Sequence, residues 1–307
     1  MQKPVYTPYD GSLTKPFAIG LSPLDIDRWI EPDEDLGSFL AEKRRLAATI
    51  RDLVFGAEAG TEAAQRECLE LLVAHLDERH TATHRRDGNV IEAASHHVDL
   101  SDESLPPLFR AGLLIQDDLV ILTRRDTGWH LVAGYVSFPS SWSLAEKFGR
   151  PMEEIHATVP GFQAGTRNAT LINRIFDNLL VGQPVERWNW SINRTADLYM
   201  PKSKSGPADP AAPVFDPLNS FVRIERQTLR RLPKSGDIVF TIRIYSDPMK
   251  VLLAHPNGSE LAARFADQID ALNDDEIFYK GLIDKKSAMT EMLRNAARRE
   301  AVLPAKA

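Results

Sequence analysis

The chain has 307 residues, 43% hydrophobic and 26% charged, which is enough for one large or two small globular domains. Its formal net charge of −6 and the lack of a long basic block argue against a nucleic-acid partner. No run approaches the ~18 apolar residues of a membrane span, and the N-terminus has no apolar signal core, so we expect a cytoplasmic protein without a membrane partner.

Cysteine use limits the redox chemistry that the chain can support alone. Cys68 is the single cysteine, so the chain can hold neither an iron–sulfur cluster, which needs several such ligands, nor an internal disulfide. Cys68 shares a helical face with Leu69, Leu72 and Leu76, which favours a buried structural thiol. A thiolate ligand to a heme iron is the alternative.

The first hundred residues predict an arm followed by two helices. Five prolines within 1–32 favour an extended arm, and apolar residues at helical spacing predict amphipathic helices at 35–54 and 61–79. The polar, histidine-rich segment that follows is interpreted as a solvated connection. His80 and His84, four residues apart, give a zinc pair as the alternative there.

The middle of the chain has the alternation of β-strands. The predicted strands are 113–115 with 119–123, 129–138, 185–192, 221–229 and 238–245. A turn at 125–128 joins the first two strands into a hairpin. This order is compatible with an α+β, PAS-like fold, in which a five-stranded antiparallel sheet holds a ligand against helices inserted after its second strand. Topology alone does not choose the ligand or the function.

The segment after the second strand predicts two short helices. Pro139 breaks the strand, and Ser143 with Glu146 forms a capping box that starts the first helix. Pro151 suits the first turn of the second helix, which carries His156. An imidazole fixed there could ligate a metal or a heme; the alternative is a histidine satisfied by a backbone carbonyl.

Apolar stripes also predict two helices at the C-terminus. We therefore divide the chain into an N-terminal arm with helices packed on the core (1–100), a PAS-like core (101–255) and C-terminal helices (256–307).

Five motifs resemble the heme-binding alpha subunit of heme-dependent oxidative N-demethylase, also called dimethylamine monooxygenase. They occur in the same order as in that family, within residues 20–255: S-F-P-S-S-W-S-L-A-E-K-F-G-R-P (137–151), I-H-A-T-V-P-G-F (155–162), R-W-N-W-S-I (187–192), I-E-R-Q-T-L-R-R-L-P (224–233) and F-T-I-R-I-Y (240–245).

The resemblance implies a PAS-like domain that binds heme b. With O2 and electrons, such a subunit converts a small secondary amine such as dimethylamine to a primary amine and formaldehyde. The resemblance also implies partner subunits: a reductase with flavin and an iron–sulfur centre, and a folate-dependent subunit that captures formaldehyde. The single cysteine and the absence of a G-x-G-x-x-G motif after a strand agree with electron carriers on other subunits.

In the light of this resemblance, His156 is our candidate for the axial ligand of the heme iron. Cationic partners for the heme propionates are chosen among Lys147, Arg150, Arg226 and Arg243. Each of these has ordinary surface charge as its alternative interpretation.

A secondary amine is a cation at neutral pH and needs a carboxylate or an aromatic face. Glu225, within a predicted strand, is the candidate carboxylate, and Tyr245 is taken with it as a candidate catalytic residue. Trp142, Trp188 and Trp190 are candidates for an aromatic wall of the substrate pocket. A core ion pair between Glu225 and an arginine, with tryptophans that only pack, is the alternative.

Two other classes of protein remain open at this point. A PAS-like sensor or binding protein would hold heme or a metabolite without turnover, but a sensor normally has an output domain and only flanking helices are predicted. A heme-free scaffold subunit of an oxygenase complex is the second alternative.

Overall fold

The computed structural model describes residue 4 and residues 6–11, 17–202 and 214–300, with side chains up to 298. The rest of the predicted arm (1–3, 5 and 12–16) lies outside the described residues. The strands are β1 Ser22–Pro23, β2 Phe55–Ala57, β3 His84–Asp87, β4 Val90–Ala93, β5 His96–Asp99, β6 Asp118–Arg125, β7 Gly128–Tyr135, β8 Val185–Asn193, β9 Phe221–Arg231 and β10 Ile238–Pro248. The α-helices are α1 Leu36–Val54, α2 Glu62–Arg79, α3 Pro107–Gly112, α4 Leu144–Lys147, α5 Met152–Ile155, α6 Arg167–Asn178, α7 Met249–Leu253, α8 Gly258–Asp270, α9 Asp274–Tyr279 and α10 Lys286–Glu300.

The main sheet is antiparallel throughout, and together with the helices it confirms the α+β class. Its strand order is β1-β8-β9-β10-β6-β7-β2, so the sheet has seven strands rather than the five predicted. The two additional strands are β1, which pairs with β8, and β2, which pairs with β7, at the two edges. With two and three residues they are too short to show alternation in the sequence.

Residues 113–115 do not form a strand, contrary to the prediction. They follow α3 as a buried turn, and burial alone explains their apolar character. β6 begins instead at Asp118, which the sequence analysis placed between two strand pieces. Its carboxylate accepts hydrogen bonds from the backbone N–H groups of Ser137 and Phe138, at 2.8 and 2.9 Å. These bonds offset the cost of burying the charge.

The histidine-rich segment is also more ordered than predicted. β3, β4 and β5 form a three-stranded antiparallel sheet, and Ile91 and Val98 pack from it into a hydrophobic core. Each of these strands has only four residues, which leaves too little alternation to recognise.

The two histidines of the alternative zinc pair make different contacts. Nε2 of His84 lies 2.8 Å from the carbonyl oxygen of Leu114, whereas Nε2 of His80 lies 3.3 Å from Nε2 of His75. Within the described part of the chain, no group of three or more His, Cys, Asp or Glu residues could hold a metal ion.

Helices cover both faces of the main sheet. On one face, α1 and α2 bury Leu46 and Leu72 against Ile121 and Val239 of the sheet. On the other face, the side chains of α4 to α6 pack with those of β6 and β7. Cys68 lies inside the first layer, fully buried, and burial raises the pKa of its thiol to about 12. This environment confirms a structural thiol and leaves little thiolate to act as a ligand.

Candidate functional site

A cavity lies between the main sheet and the helices inserted after β7. Most of its wall is apolar, with side chains from both layers, among them Val120, Leu122, Leu131, Ile155, Phe162 and Phe176. The wall becomes polar where β8 and β9 pass beneath it. A mainly apolar cavity with a few converging polar groups is the usual form of a cofactor or substrate site.

Strand alternation places the polar groups. Arg187 and Asn189 of β8 share one face with Glu225 and Gln227 of β9, and all four line the cavity. In the antiparallel register, Asn189 lies directly opposite Glu225, and Arg187 lies opposite Gln227. Residues at alternate positions point to the same face, so the intervening side chains face the other layer.

The local fold that carries His156 follows the sequence closely. The predicted capping box forms, because Ser143 Oγ accepts from the backbone N–H of Glu146 and the Glu146 carboxylate accepts from the backbone N–H of Ser143. Gly149 has a φ of +75°, which lets the chain turn sharply from α4 towards α5. α5 is only four residues long, and His156 is its C-cap, on the cavity wall.

His156 has the tautomer of a metal-binding imidazole. Its Nδ1 lies 3.0 Å from the carbonyl oxygen of Met152. A carbonyl only accepts, so Nδ1 carries the proton and Nε2 keeps its lone pair. Burial, reinforced by the charge of Lys147, lowers the pKa of His156 to about 4, so the ring is neutral near pH 7. The backbone carbonyl accounts for Nδ1, but no described residue makes a hydrogen bond to Nε2.

Lys147 lies next to His156 in the same cavity wall. Its Nζ donates to the carbonyl oxygen of Ile155 at 3.3 Å and lies 5.0 Å from the ring centroid of Trp142. Burial lowers the pKa of Lys147 to about 8, while Glu146 and Glu225 oppose that shift. The ammonium therefore remains charged near pH 7 and is available to an anion.

Glu225 is held from one side only. Its Oε2 accepts hydrogen bonds from Gln227 Nε2 at 3.0 Å and from Asn189 Nδ2 at 3.4 Å. Among the described residues, none makes a hydrogen bond to Oε1. A carboxylate with one oxygen fixed and the other open can accept an N–H from a ligand.

The charges that line the cavity are unbalanced. Glu225 is the only carboxylate among the lining residues, against the cations Lys147, Arg187 and Lys280. Nε of Arg187 is buried, with no hydrogen-bond partner within the part of the chain that the structure describes. Burial lowers the pKa of Arg187, whereas the charge of Glu225 raises it. Such an excess of buried positive charge favours an anionic ligand.

The C-terminal segment supplies two groups that the sequence analysis missed. Tyr279, the last residue of α9, and Lys280, its C-cap, both line the cavity. Burial, followed by the charge of Glu225, raises the pKa of Tyr279 to about 12, so the phenol keeps its proton. Nothing in the amphipathic pattern of 274–299 distinguishes these two residues from other residues of a packing helix.

A sequence model of the family "Haem-dependent oxidative N-demethylase, alpha subunit-like" matches residues 20–290. The chain belongs to this family. The match confirms the resemblance and extends it beyond 255, through the segment that carries Tyr279 and Lys280. The family name indicates a heme-dependent oxidoreductase of the N-demethylase type, and its description as alpha subunit-like implies a multi-subunit enzyme. In the described ranges, no helix has the length and apolar character needed to cross a membrane.

The residues present fit the heme that the family name indicates. His156 offers an unprotonated Nε2 from the C-cap of α5, and the apolar wall suits a porphyrin face. Heme propionates are carboxylates, and the unpartnered Nε of Arg187 is a suitable donor for one of them.

The structure brings together half of the residues that the sequence analysis selected. His156, Lys147, Glu225, Trp142 and Trp190 all line the cavity. Trp190 also packs elsewhere, since its Nε1 donates to Gln268 Oε1 at 3.0 Å.

The other selected residues do not line the cavity. Arg226 donates to Glu186 at 2.9 Å, Arg243 contacts Asp33 at 2.5 Å, and Tyr245 donates its hydroxyl proton to Glu31 at 2.9 Å. The contact with Glu186 lies within the sheet, between β9 and β8, but Arg226 also donates to the carbonyl oxygen of Arg28 at 2.6 Å. The contacts with Glu31, Asp33 and Arg28 join the opposite face of the sheet to the N-terminal arm and to the residues just before α1. The ring of Trp188 lies on that side too, 4.0 Å from the Tyr6 ring, and Arg150 is exposed.

Proposed function

We propose that the chain is the heme-binding oxygenase subunit of an oxidative N-demethylase that acts on a small secondary amine such as dimethylamine. The observation that supports this most directly is the free Nε2 of neutral His156 in a cavity that also presents Glu225. The family membership supports the same function, and the excess of cationic groups around the cavity supports its heme part, because heme propionates are anions.

In this proposal His156 would hold the iron of heme b through its Nε2. Arg187 replaces Arg150, Arg226 and Arg243 as the principal partner of a propionate, because it lines the cavity and they do not. Lys147 is a second candidate, with its ammonium held between Trp142 and the end of α5. Bound heme supplies the activation of oxygen for the oxidation of a methyl C–H bond.

Glu225 binds the substrate ammonium through Oε1 in this proposal. The cation would replace its hydration shell with a charge-assisted hydrogen bond to the carboxylate and contacts with the aromatic face of Trp142. One oxygen atom enters the methyl group, and the product separates into formaldehyde and a primary amine. The second oxygen atom leaves as water, with electrons from the reductase subunit and protons from solvent.

The central strands agree with a PAS-like arrangement. Taken without the two edge strands, the sheet order is β7-β6-β10-β9-β8, and α4 to α6 are inserted after β7, the second strand of the hairpin. We therefore retain PAS-like as the proposed fold type. The proposed partners are a flavin and iron–sulfur reductase subunit and a folate-dependent subunit that captures formaldehyde.

Reconstitution with hemin tests the heme site. The purified protein should bind heme and give a Soret band, and His156→Ala should lose heme or change the ferric spectrum, because the axial ligand is gone. His97→Ala removes an exposed histidine and is the matched control. A His156→Ala protein with full heme content and an unchanged ferric spectrum would rule out the assignment.

Turnover of dimethylamine with O2 and a supplied reductase tests the reaction. Glu225→Gln should leave the heme spectrum intact and raise KM for the amine about tenfold or more, through the loss of a charged hydrogen bond. Heme binding without formaldehyde release from any small secondary amine would favour the alternative, a PAS-like sensor or binding protein. Absence of heme binding would favour a scaffold subunit.

A further inference from the structure

Lys280 is a buried ammonium at the polar end of the cavity, where it also lies 5.1 Å from the ring centroid of Phe17. Its Nζ donates to the carbonyl oxygen of Trp190 at 2.7 Å and to Oδ1 of Asn189 at 3.3 Å. It also lies 4.2 Å from the centroid of the Trp190 ring. The side chain is only 6% exposed, so these contacts replace water around the charge.

The contact with Asn189 fixes the orientation of an amide. A lysine ammonium has three donors and no acceptor, so only the oxygen of Asn189 can face it. Nδ2 of Asn189 must then point away from Lys280, and it donates to Oε2 of Glu225 at 3.4 Å. With the amide turned around, Oδ1 would face the carboxylate of Glu225, and Nδ2 would face the ammonium.

We propose that Lys280 is a positioning residue for the substrate site, which acts through Asn189 on Glu225. By fixing the Asn189 amide, Lys280 directs a second N–H, beside that of Gln227, to Oε2 of Glu225. Oε1 is thereby kept open for the ammonium of the substrate. The proposal rests on the proposed function, because it assumes that Glu225 binds a secondary ammonium ion. It also explains why the chain carries a cation from its C-terminal segment into a site that already holds two others.

A double-mutant cycle separates positioning from simple charge. Lys280 also lies close enough to Glu225 to interact through space, and that attraction does not need Asn189. If Lys280 acts through Asn189, then Lys280→Met should change amine binding much less in an Asn189→Leu background than in the wild-type background. If only charge matters, the change should be the same in both backgrounds.

The first measurement is calorimetric titration of the purified heme-loaded protein with dimethylammonium chloride. We expect Lys280→Met to raise Kd by roughly fivefold to tenfold, the usual effect of one lost hydrogen bond. Lys285→Met is the matched control, since Lys285 Nζ donates to Gly281 within its own turn at 2.8 Å. Lys280→Gln, which can still donate an amide N–H to Asn189, should bind amine more tightly than Lys280→Met.

The second measurement needs no amine. The side-chain amide resonances of Asn189, assigned by their loss in Asn189→Leu, should shift or broaden in Lys280→Met and stay in place in Lys285→Met. If Lys280→Met does not fold, the comparison of Lys280→Gln with Asn189→Leu takes its place, and Lys280→Gln should perturb binding less.

Three results would overturn the positioning role: unchanged Asn189 resonances in Lys280→Met, equal effects of Lys280→Met in both backgrounds, or Lys280→Gln as harmful as Asn189→Leu. Failure of the proposed function would give a different result. The wild-type protein would then bind no amine, while the Asn189 resonances would still shift or broaden in Lys280→Met.

Discussion

Replacement of Arg187 by methionine should have opposite effects on the heme-free and heme-loaded proteins. In the heme-free protein the Nε of Arg187 is buried and has no hydrogen-bond partner among the described residues, and an unsatisfied buried polar group costs about 1–3 kcal/mol. Methionine keeps the apolar stem and removes that cost, while the attraction to Glu225 is lost. We expect a net gain of about 1 kcal/mol, which raises Tm by roughly 1–2 °C for a chain of this length.

In the heme-loaded protein the same change removes a propionate partner. A hydrogen bond to a charged group contributes about 1.5–3 kcal/mol, so heme affinity should fall by roughly tenfold to 150-fold. Thermal unfolding followed by circular dichroism measures the first effect. Transfer of heme to apomyoglobin measures the second through the rate of heme loss.

Arg226→Met is the matched control. Arg226 is also a buried arginine within a strand, but it lies on the opposite face of the same sheet and does not line the cavity. Arg226 is 1% exposed and paired with Glu186 at 2.8 Å, so its removal leaves a carboxylate without its partner. We expect a loss of about 3–5 kcal/mol in both forms of the protein. An Arg187→Met protein that is destabilised without heme, and keeps heme as long as wild type, would refute the anion-site reasoning.

Three further predictions concern stability. Burial, followed by the charge of a neighbouring histidine, lowers the pKa of His75 from 6.5 to about 4. Between these pH values the unfolded chain therefore binds more protons than the folded chain. The free energy of unfolding should fall as the pH falls through this range. In a urea series against pH, His75→Phe should flatten that slope, and an unchanged slope would contradict the assignment. Gly112→Ala would place Cβ 2.2 Å from a Tyr135 ring carbon and should lower the free energy of unfolding by about 2–3 kcal/mol. Gly37→Ala in α1 is the control, because its Cβ would lie 3.5 Å from the nearest neighbour. Thermal unfolding of the two variants should show a loss of stability only for Gly112→Ala. Ser143→Ala removes the N-cap of α4 and should lower the free energy of unfolding by about 1 kcal/mol. An unchanged free energy of unfolding would mean that the capping box does not contribute to stability.

The sequence predicted the parts of the site that depend on local rules. Ser143, Gly149 and Pro151 determine the two short helices before His156, because helix caps and a left-handed glycine act over a few residues. Pro151 itself is the N-cap of α5, one position before the first turn that the sequence analysis assigned to it. The long strands were found in the same way, from their alternation. Glu225 was selected because a carboxylate within a strand is unusual.

The rest depends on contacts between distant segments. The alternation of β8 was visible, yet nothing in the sequence said which of its faces lines the cavity, so Arg187 was missed and Trp188 was selected. Arg226 and Arg187 are both arginines within strands, and only the tertiary arrangement separates them. Lys280 comes from a segment that is more than fifty residues away from Glu225 in the chain, so no local pattern joins the two.

The two faces of the β8–β9 pair have a consequence for redesign. The odd-numbered positions 187, 189, 225 and 227 line the cavity, whereas the even-numbered Arg226 lies on the opposite face and donates to the carbonyl oxygen of Arg28 in the N-terminal arm at 2.6 Å. Ligand preference can therefore be varied at the odd positions in a combinatorial library while the even positions are held constant. Conversely, insertion of a single residue in either strand would exchange the two sets, and it would abolish the arm contacts and the cavity chemistry in one step.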